Sequence, residues 1–143
     1  MIVPLAELSL PTPSGDSVRV LGGSQPFTFV FATAFSAGIT QEQLPKLEAI
    51  VSAFDEATLR LVIIVLDPDE GLSRLDMLDP ATLARATVLL DPLHERRYFR
   101  SADHDGFPAW SLFDREGTML VRYANHLSTV RKRITPPLER SIP

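Results

Sequence analysis

The chain has 143 residues, a formal net charge of −4 and no cysteine. This length is enough for one domain with its own hydrophobic core, and the acidic charge argues against binding to nucleic acid or to an anionic membrane surface. The longest apolar run, residues 61–66, is too short to span a bilayer. We expect a single domain over residues 1–143, without a signal peptide and, by default, in the cytoplasm.

The first half of the chain predicts a hairpin followed by a strand, a helix and a second strand. Turn-forming residues at 13–16 separate two short apolar stretches and indicate an N-terminal β-hairpin. Residues 27–32 and 61–66 are apolar throughout, as parallel strands covered by helices on both faces are. Between them, residues 40–57 have the apolar spacing of an amphipathic helix, with Thr40 as its N-cap.

The second half predicts short helices and three more strands. A helical stretch in two pieces follows the second strand, and Asp79 with Pro80 begins its second piece. The elements expected next are a strand at 87–90, a helix at 93–99, strands at 109–113 and 118–123, a helix at 127–134 and a loose tail at 135–143. The whole order predicts an α/β fold with a central sheet of four or five strands flanked by helices. The predicted core residues are Phe29, Val30, Ile50, Ile63, Val65, Leu89 and Leu112.

Four segments carry patterns that are shared with a known family. Residues 8–11 and 15–20 are similar to its opening L-P…G-x-x-V-x-L, and residues 29–33 are similar to the strand before its active loop. Glu42 stands where many members have a glutamate, and residues 106–117 are similar to the pattern G-x-P-x-x-x-L-I-D-x-x-G. The chain therefore resembles the redoxin group of the thioredoxin-like superfamily, which contains the AhpC/TSA peroxiredoxins and the TlpA-like thiol–disulfide oxidoreductases. The resemblance covers residues 5–127 and implies a thioredoxin-like fold with a mixed sheet.

The chain departs from this family at the residues that carry its chemistry. The C-x-x-C positions of the TlpA-like proteins align with Ser36 and Ile39, and the peroxidatic cysteine of the peroxiredoxins aligns with Ile39. The proline of the peroxiredoxin motif is replaced by Ala32. Because isoleucine has neither a nucleophilic atom nor a proton to lose, we expect no peroxide or disulfide chemistry from this loop.

The resemblance implies a vestigial active-site loop without a catalytic residue. Its members are Thr33, Phe35, Ser36, Ile39 and Glu42. Glu42 on the following helix is more simply explained as a surface charge than as an acid or base.

The resemblance also implies a binding groove beside this loop. Its lining would be Phe35, Phe107, Pro108 and Trp110, with a cis peptide bond between Phe107 and Pro108 facing the loop. The alternative for the three aromatic residues is packing in the core, which we favour for Trp110 and leave open for the other two.

Neither serine catalysis nor metal binding has its full set of residues in this sequence. A nucleophilic Ser36 requires a base and an oxyanion hole, and no G-x-S-x-G pattern surrounds it, so we favour a loop or capping hydroxyl. The histidines His94, His104 and His126 are scattered. The polar segment 103–105 has no second histidine at ligand spacing, so neither a metal nor another cofactor is expected.

These observations favour a redoxin-type protein that has lost its thiol chemistry and binds a protein or peptide partner, with a homodimer as a further possibility. Two alternatives remain open. One is an antioxidant or oxidoreductase role that uses a cysteine of a partner protein. The other is a non-thiol enzyme on the same scaffold, using a metal or the set Ser36, Glu42 and His104.

Overall fold

The computed structural model describes residues 2–104 and 108–124. The elements, in chain order, are β1 (Ser9–Pro11), β2 (Ser17–Arg19), β3 (Phe27–Thr33), α1 (Gly38–Ser52), β4 (Leu59–Val65), α2 (Pro68–Gly71), α3 (Pro80–Arg85), β5 (Ala86–Leu90), α4 (Arg97–Ala102), β6 (Ala109–Asp114) and β7 (Met119–Ala124). Short 3-10 turns cover Leu5–Glu7 and Leu72–Met77. Within these two ranges of the chain, no helix has the length and apolar character needed to cross a membrane.

Five strands form one mixed sheet in the order β5-β4-β3-β6-β7, and β1 and β2 form a separate antiparallel hairpin. Strands β3, β4 and β5 run parallel, with Phe31 opposite Ile63 and Ile63 opposite Val88. Strand β6 is antiparallel to β3, and β7 is antiparallel to β6. The predicted sheet and hairpin are confirmed. Because the three parallel strands are neighbours, the loops that follow them meet at one edge of the sheet.

The central strands are buried on both faces, which explains why their sequences are mostly apolar. On one face, Phe29 and Phe31 of β3 pack in a cluster with Leu47 of α1. On the other face, Val30 packs in a cluster with the hairpin and with Tyr98 of α4. The predicted core residues are all buried, as Phe29, Val30, Ile50, Ile63, Val65, Leu89 and Leu112 are each at most 4% exposed.

Helix α1 begins two residues earlier than the predicted N-cap, Thr40. Its N-cap is Ala37, and Thr40 lies buried in the first turn. The Thr40 hydroxyl donates a hydrogen bond to the carbonyl oxygen of Ala34 at 2.8 Å and pairs with the Thr33 hydroxyl at 2.7 Å. Thr40 therefore joins the helix to the loop after β3 instead of capping the helix.

Helix α4 begins at Arg97, four residues after the predicted start. The carboxylate of Asp91 accepts hydrogen bonds from the backbone N–H groups of Arg97 and Tyr98, both at 2.9 Å, and so fixes the first turn. The predicted cap of α3 is confirmed, since Asp79 accepts a hydrogen bond from the backbone N–H of Ala81 at 3.0 Å. The predicted helix at 127–134 and the tail at 135–143 lie outside the described residues.

The guanidinium group of Arg85 holds the end of α1 against the sheet. It donates hydrogen bonds to the carbonyl oxygens of Val51 at 3.0 Å, Phe54 at 2.9 Å and Leu59 at 2.9 Å. Val51 belongs to the last turn of α1, Phe54 follows the helix, and Leu59 begins β4. One side chain thereby connects α3, α1 and the start of β4.

Replacing Arg85 by methionine should destabilise the protein, because methionine keeps an apolar stem but leaves these carbonyl groups without their donor. We expect the free energy of unfolding, measured by urea denaturation, to fall by about 2 kcal/mol. Arg74 is exposed and makes no hydrogen bond within the described residues, so Arg74→Met should change it by less than about 0.5 kcal/mol. Equal effects of the two substitutions would contradict the role given to Arg85.

Candidate functional site

Three loops meet at the carboxyl edge of the parallel strands. They are the loop between β3 and α1, which contains Ser36, the loop after β4, which contains Asp67, and the loop after β5, which contains His94. Open α/β sheets commonly bind ligands at this edge. The vestigial loop predicted from the sequence is therefore part of a larger surface formed by all three loops.

Asp67 ties the loop after β4 to the loop after β3. Its carboxylate accepts hydrogen bonds from the backbone N–H of Phe35 at 2.8 Å, the backbone N–H of Ser36 at 2.9 Å and the hydroxyl of Ser36 at 2.5 Å. Gly71 packs against the same carboxylate, since a Cβ atom at Gly71 would overlap Oδ1 of Asp67. The carboxylate thus fixes the backbone around position 36.

This arrangement does not make Ser36 a nucleophile. The Ser36 hydroxyl donates to Asp67, and the backbone N–H groups of Phe35 and Ser36, which could otherwise stabilise an oxyanion, are bonded to the same carboxylate. No hydrogen bond within the described residues joins Ser36 to Glu42 or to His104, which the non-thiol alternative requires. Glu42 is exposed, and Nε2 of His104 bonds to the hydroxyl of Ser111 at 2.8 Å. Since Ser111 lies opposite Val30, this bond is in the middle of the sheet and not at its carboxyl edge.

The structure places Trp110 in the core, the alternative that we favoured for it, and it places Phe35, which the sequence left open, in the core and not in a groove. Phe35 and Trp110 are fully buried, and both belong to the cluster under α1. The Phe35 ring meets Phe31 edge to face at a centroid distance of 6.2 Å, and Trp110 stacks on Phe29 at 6.0 Å. Alternation along β6 places Trp110 and Leu112 on the face that packs under α1. Neither ring is available to a partner at the surface.

The remaining predicted site residues are placed as follows. Thr33 is buried and bonded to Thr40, and the backbone of Ile39 lies in the first turn of α1. Pro108 is buried. Phe107, and with it the expected cis bond to Pro108, lies outside the described residues. No group of three or more potential metal ligands occurs in the part of the chain that the structure describes.

A second aspartate at this edge repeats the role of Asp67. Asp91 follows β5, is fully buried and caps α4 through two backbone N–H groups. Burial raises the pKa of its carboxyl above the usual value, against the lowering effect of those two hydrogen bonds and of the charge on Arg97. The two adjacent parallel strands therefore each end in an aspartate whose carboxylate organises a neighbouring loop.

A sequence signal for these aspartates exists, and the sequence analysis missed it. The tripeptide Leu-Asp-Pro occurs at residues 66–68, 78–80 and 90–92. In each copy the aspartate accepts hydrogen bonds from backbone N–H groups, and the proline that follows, without an N–H of its own, starts a turn or helix. The repeat thus marks three chain reversals, two of them beside the candidate site.

A surface groove of about 480 Å³ lies between the three loops. We call it the carboxyl-edge groove. Its apolar lining includes Leu66 and Leu93, and its polar lining includes the carboxylates of Asp69 and Glu70. The full lining consists of Ala34, Ser36, Leu66, Asp67, Pro68, Asp69, Glu70, Pro92, Leu93 and His94. Sequence reasoning found only Ser36 among these residues, because the others follow strands that are distant in sequence.

Solved structures share this architecture. A chain described as a DsbE-type thiol:disulfide interchange protein from Chlorobium tepidum matches with a TM-score of 0.72 at 20% identity, over 92% of each chain. MTB DsbF matches with 0.71 at 16% identity, over 95% of this chain and 98% of that one. A secreted Mycobacterium tuberculosis disulfide oxidoreductase homologous to E. coli DsbE matches with 0.68 at 15% identity, over 92% and 97%.

These likenesses establish that the chain has the thioredoxin-like fold, as the resemblance in the sequence implied. The first is described as a thiol:disulfide interchange protein and the third as a disulfide oxidoreductase, whereas the present chain contains no cysteine. No family model matches the sequence, and no curated protein gives a significant match. A shared fold at this level of identity does not carry an activity with it.

Replacing Asp67 by alanine should release the loop after β3. Loss of the charged acceptor should lower the free energy of unfolding by about 2 kcal/mol and accelerate amide hydrogen exchange at Phe35 and Ser36. Asp69 is exposed, so Asp69→Ala should leave both quantities nearly unchanged. Unchanged exchange at position 36 in Asp67→Ala would show that the loop is held by other contacts.

The raised pKa of Asp91 predicts a pH dependence of stability with a definite sign. The carboxyl proton of Asp91 is bound more tightly in the folded protein than in the unfolded chain. The contribution of this proton to the free energy of unfolding is therefore fully present below the pKa of the unfolded chain, about 3.9. That contribution is lost as the pH rises through the folded pKa. The difference in unfolding free energy between the wild type and Asp91→Asn should therefore fall as pH increases above about 4. A difference that grows with pH would contradict this assignment.

Proposed function

We propose that this chain is a thioredoxin-fold binding module of redoxin ancestry, which binds a protein partner and performs no thiol chemistry of its own. The observation that carries the proposal is the bond between Ser36 and Asp67 at the position where the family's first cysteine aligns. Because the carboxylate holds the Ser36 hydroxyl, the loop is rigid and presents no reactive group. Rigid loops at the carboxyl edge of a sheet suit recognition, because little conformational freedom is lost on binding.

The charge of Asp67 also supports the loss of thiol chemistry. A thiol–disulfide enzyme needs a thiolate, which positive charge and helix N-termini stabilise. At position 36 a carboxylate lies within hydrogen-bonding distance instead, and a negative charge at that range favours the protonated thiol. The surroundings of position 36 are therefore unsuited to a nucleophilic cysteine, in addition to lacking one.

Two measurements test this function directly. The purified protein should neither reduce insulin disulfides nor consume hydrogen peroxide with a thioredoxin system above the buffer rate. Cross-linking of the tagged protein in its own host, followed by mass spectrometry of the resolved adducts, should give a discrete heteromer with one partner protein. Redox turnover, or cross-linking that yields only the monomer and its homodimer, would overturn the proposal.

The effect of Asp67 on a thiol can be measured because the chain has no other cysteine. In Ser36→Cys the adjacent carboxylate should raise the pKa of the new thiol, so that Asp67→Asn added to Ser36→Cys lowers that pKa by about one unit. The rate of iodoacetamide alkylation at neutral pH should rise by up to about tenfold. Asp69→Asn added to Ser36→Cys is the matched control, and an equal effect there would assign the shift to general charge and not to Asp67.

A further inference from the structure

We propose that the carboxyl-edge groove binds an extended segment of the partner protein in which a lysine or arginine stands beside an apolar residue. This inference rests on the proposed binding function and names the surface and the chemistry that recognition would use. Four features of the described residues carry it: the apolar surface in the groove, the sign of its charges, the state of its hydrogen-bonding groups and the rigidity of its loops.

The groove exposes apolar surface that the core does not use. Leu93 is 38% exposed, one of only five large hydrophobic side chains that are exposed in the described ranges. Together with Pro68 and Pro92 it gives the groove an apolar wall. Covering such surface provides the main favourable term in association, and an apolar side chain of the partner would supply that cover.

The charges in the groove are negative. Asp67, Asp69 and Glu70 contribute carboxylates, whereas the described residues that line the groove include no lysine or arginine, and His94 is the one basic residue among them. Asp67 is occupied by its three bonds to the loop after β3. Asp69 and Glu70 are exposed and their carboxylates make no hydrogen bond or ion pair with the described part of the chain. They are free to accept a cationic group.

Several hydrogen-bond donors of the groove, in contrast, are already bonded within the protein. The backbone N–H groups of Leu66, Glu70 and Leu93 bond to carbonyl oxygens of the protein, and both donors of Ser36 bond to Asp67. The two prolines have no N–H to offer. The free carboxylates of Asp69 and Glu70 complement a ligand rich in donors, such as an ammonium or guanidinium group, and disfavour an anionic ligand.

The groove is also held in shape before binding. Asp67 fixes its first two loops to each other, and the backbone N–H of Leu93 bonds to the carbonyl oxygen of Leu66 at 2.9 Å, which fixes the third. Preorganisation of this kind reduces the entropy lost when a ligand binds. The groove is open along the surface between three loops, a shape that accepts a length of extended chain.

The test uses a fluorophore in the groove and defined peptide pools. His94→Cys, in the otherwise cysteine-free chain, is labelled with an environment-sensitive dye, and Asp76→Cys carries the same dye on an exposed site outside the groove. The probes are acetylated octapeptide pools with a fixed centre of Leu-Lys-Lys-Leu, Leu-Gln-Gln-Leu or Leu-Glu-Glu-Leu and randomised flanks. The lysine pool should change the groove signal at roughly tenfold lower concentration than the glutamine pool, and the glutamate pool should not change it.

Charge-reversal variants assign the site. Asp69→Lys and Glu70→Lys should each weaken binding of the lysine pool about tenfold, and raising the salt concentration should weaken it further. Asp76→Lys makes the same change of net charge outside the groove and should have an effect below about twofold. Equal effects of Asp69→Lys and Asp76→Lys, preference for the glutamate or glutamine pool, or absence of binding by every pool would each overturn the inference.

Failure of this inference is distinguishable from failure of the proposed function. Calorimetry on the unlabelled protein would detect a pool that binds elsewhere, unaffected by the groove variants. That result would show that the groove is not the binding surface, but it would not contradict the proposed binding function. The cross-linked heteromer described above decides the proposed function independently of any peptide.

Discussion

The three hydrogen bonds to the carboxylate of Asp67 are the constraint on which the surface at the carboxyl edge depends. They join a loop that follows β3 to a loop that follows β4, across more than 30 positions of sequence. Without them, the backbone around Ser36 would have unpaired N–H groups at the edge of the sheet. This single side chain fixes the backbone at position 36 and, with it, one wall of the groove.

The same interaction bears on the binding function that we propose for this chain. Thiol exchange needs a nucleophile whose negative charge is stabilised and whose loop can admit a disulfide. In this chain the corresponding loop carries a hydroxyl, already satisfied by a carboxylate, and the aromatic residue before it is buried in the core. The fold retains its sheet and loses the electrostatic conditions for the reaction, which separates architecture from activity.

Sequence reasoning predicted the sheet, the hairpin and the core because those depend on local periodicity. Residues 27–32 and 61–66 have no polar face, and this alone places them in the middle of a covered sheet. It favoured the core for Trp110 but left Phe35 open, because an aromatic residue beside a loop is compatible with either environment until the packing is known. The role of Asp67 was also out of reach, since its partners lie far away in sequence.

The contact between Gly71 and Asp67 has a consequence for how this sequence can vary. Gly71 is small because space is needed beside the carboxylate, and any larger side chain would push Oδ1 away from the amide of Phe35. The two positions are therefore linked sterically. Among relatives of this chain, a residue larger than glycine at position 71 should therefore accompany a residue other than aspartate at position 67. Joint variation of these two positions would identify the relatives in which the loop after β3 is no longer held by a carboxylate.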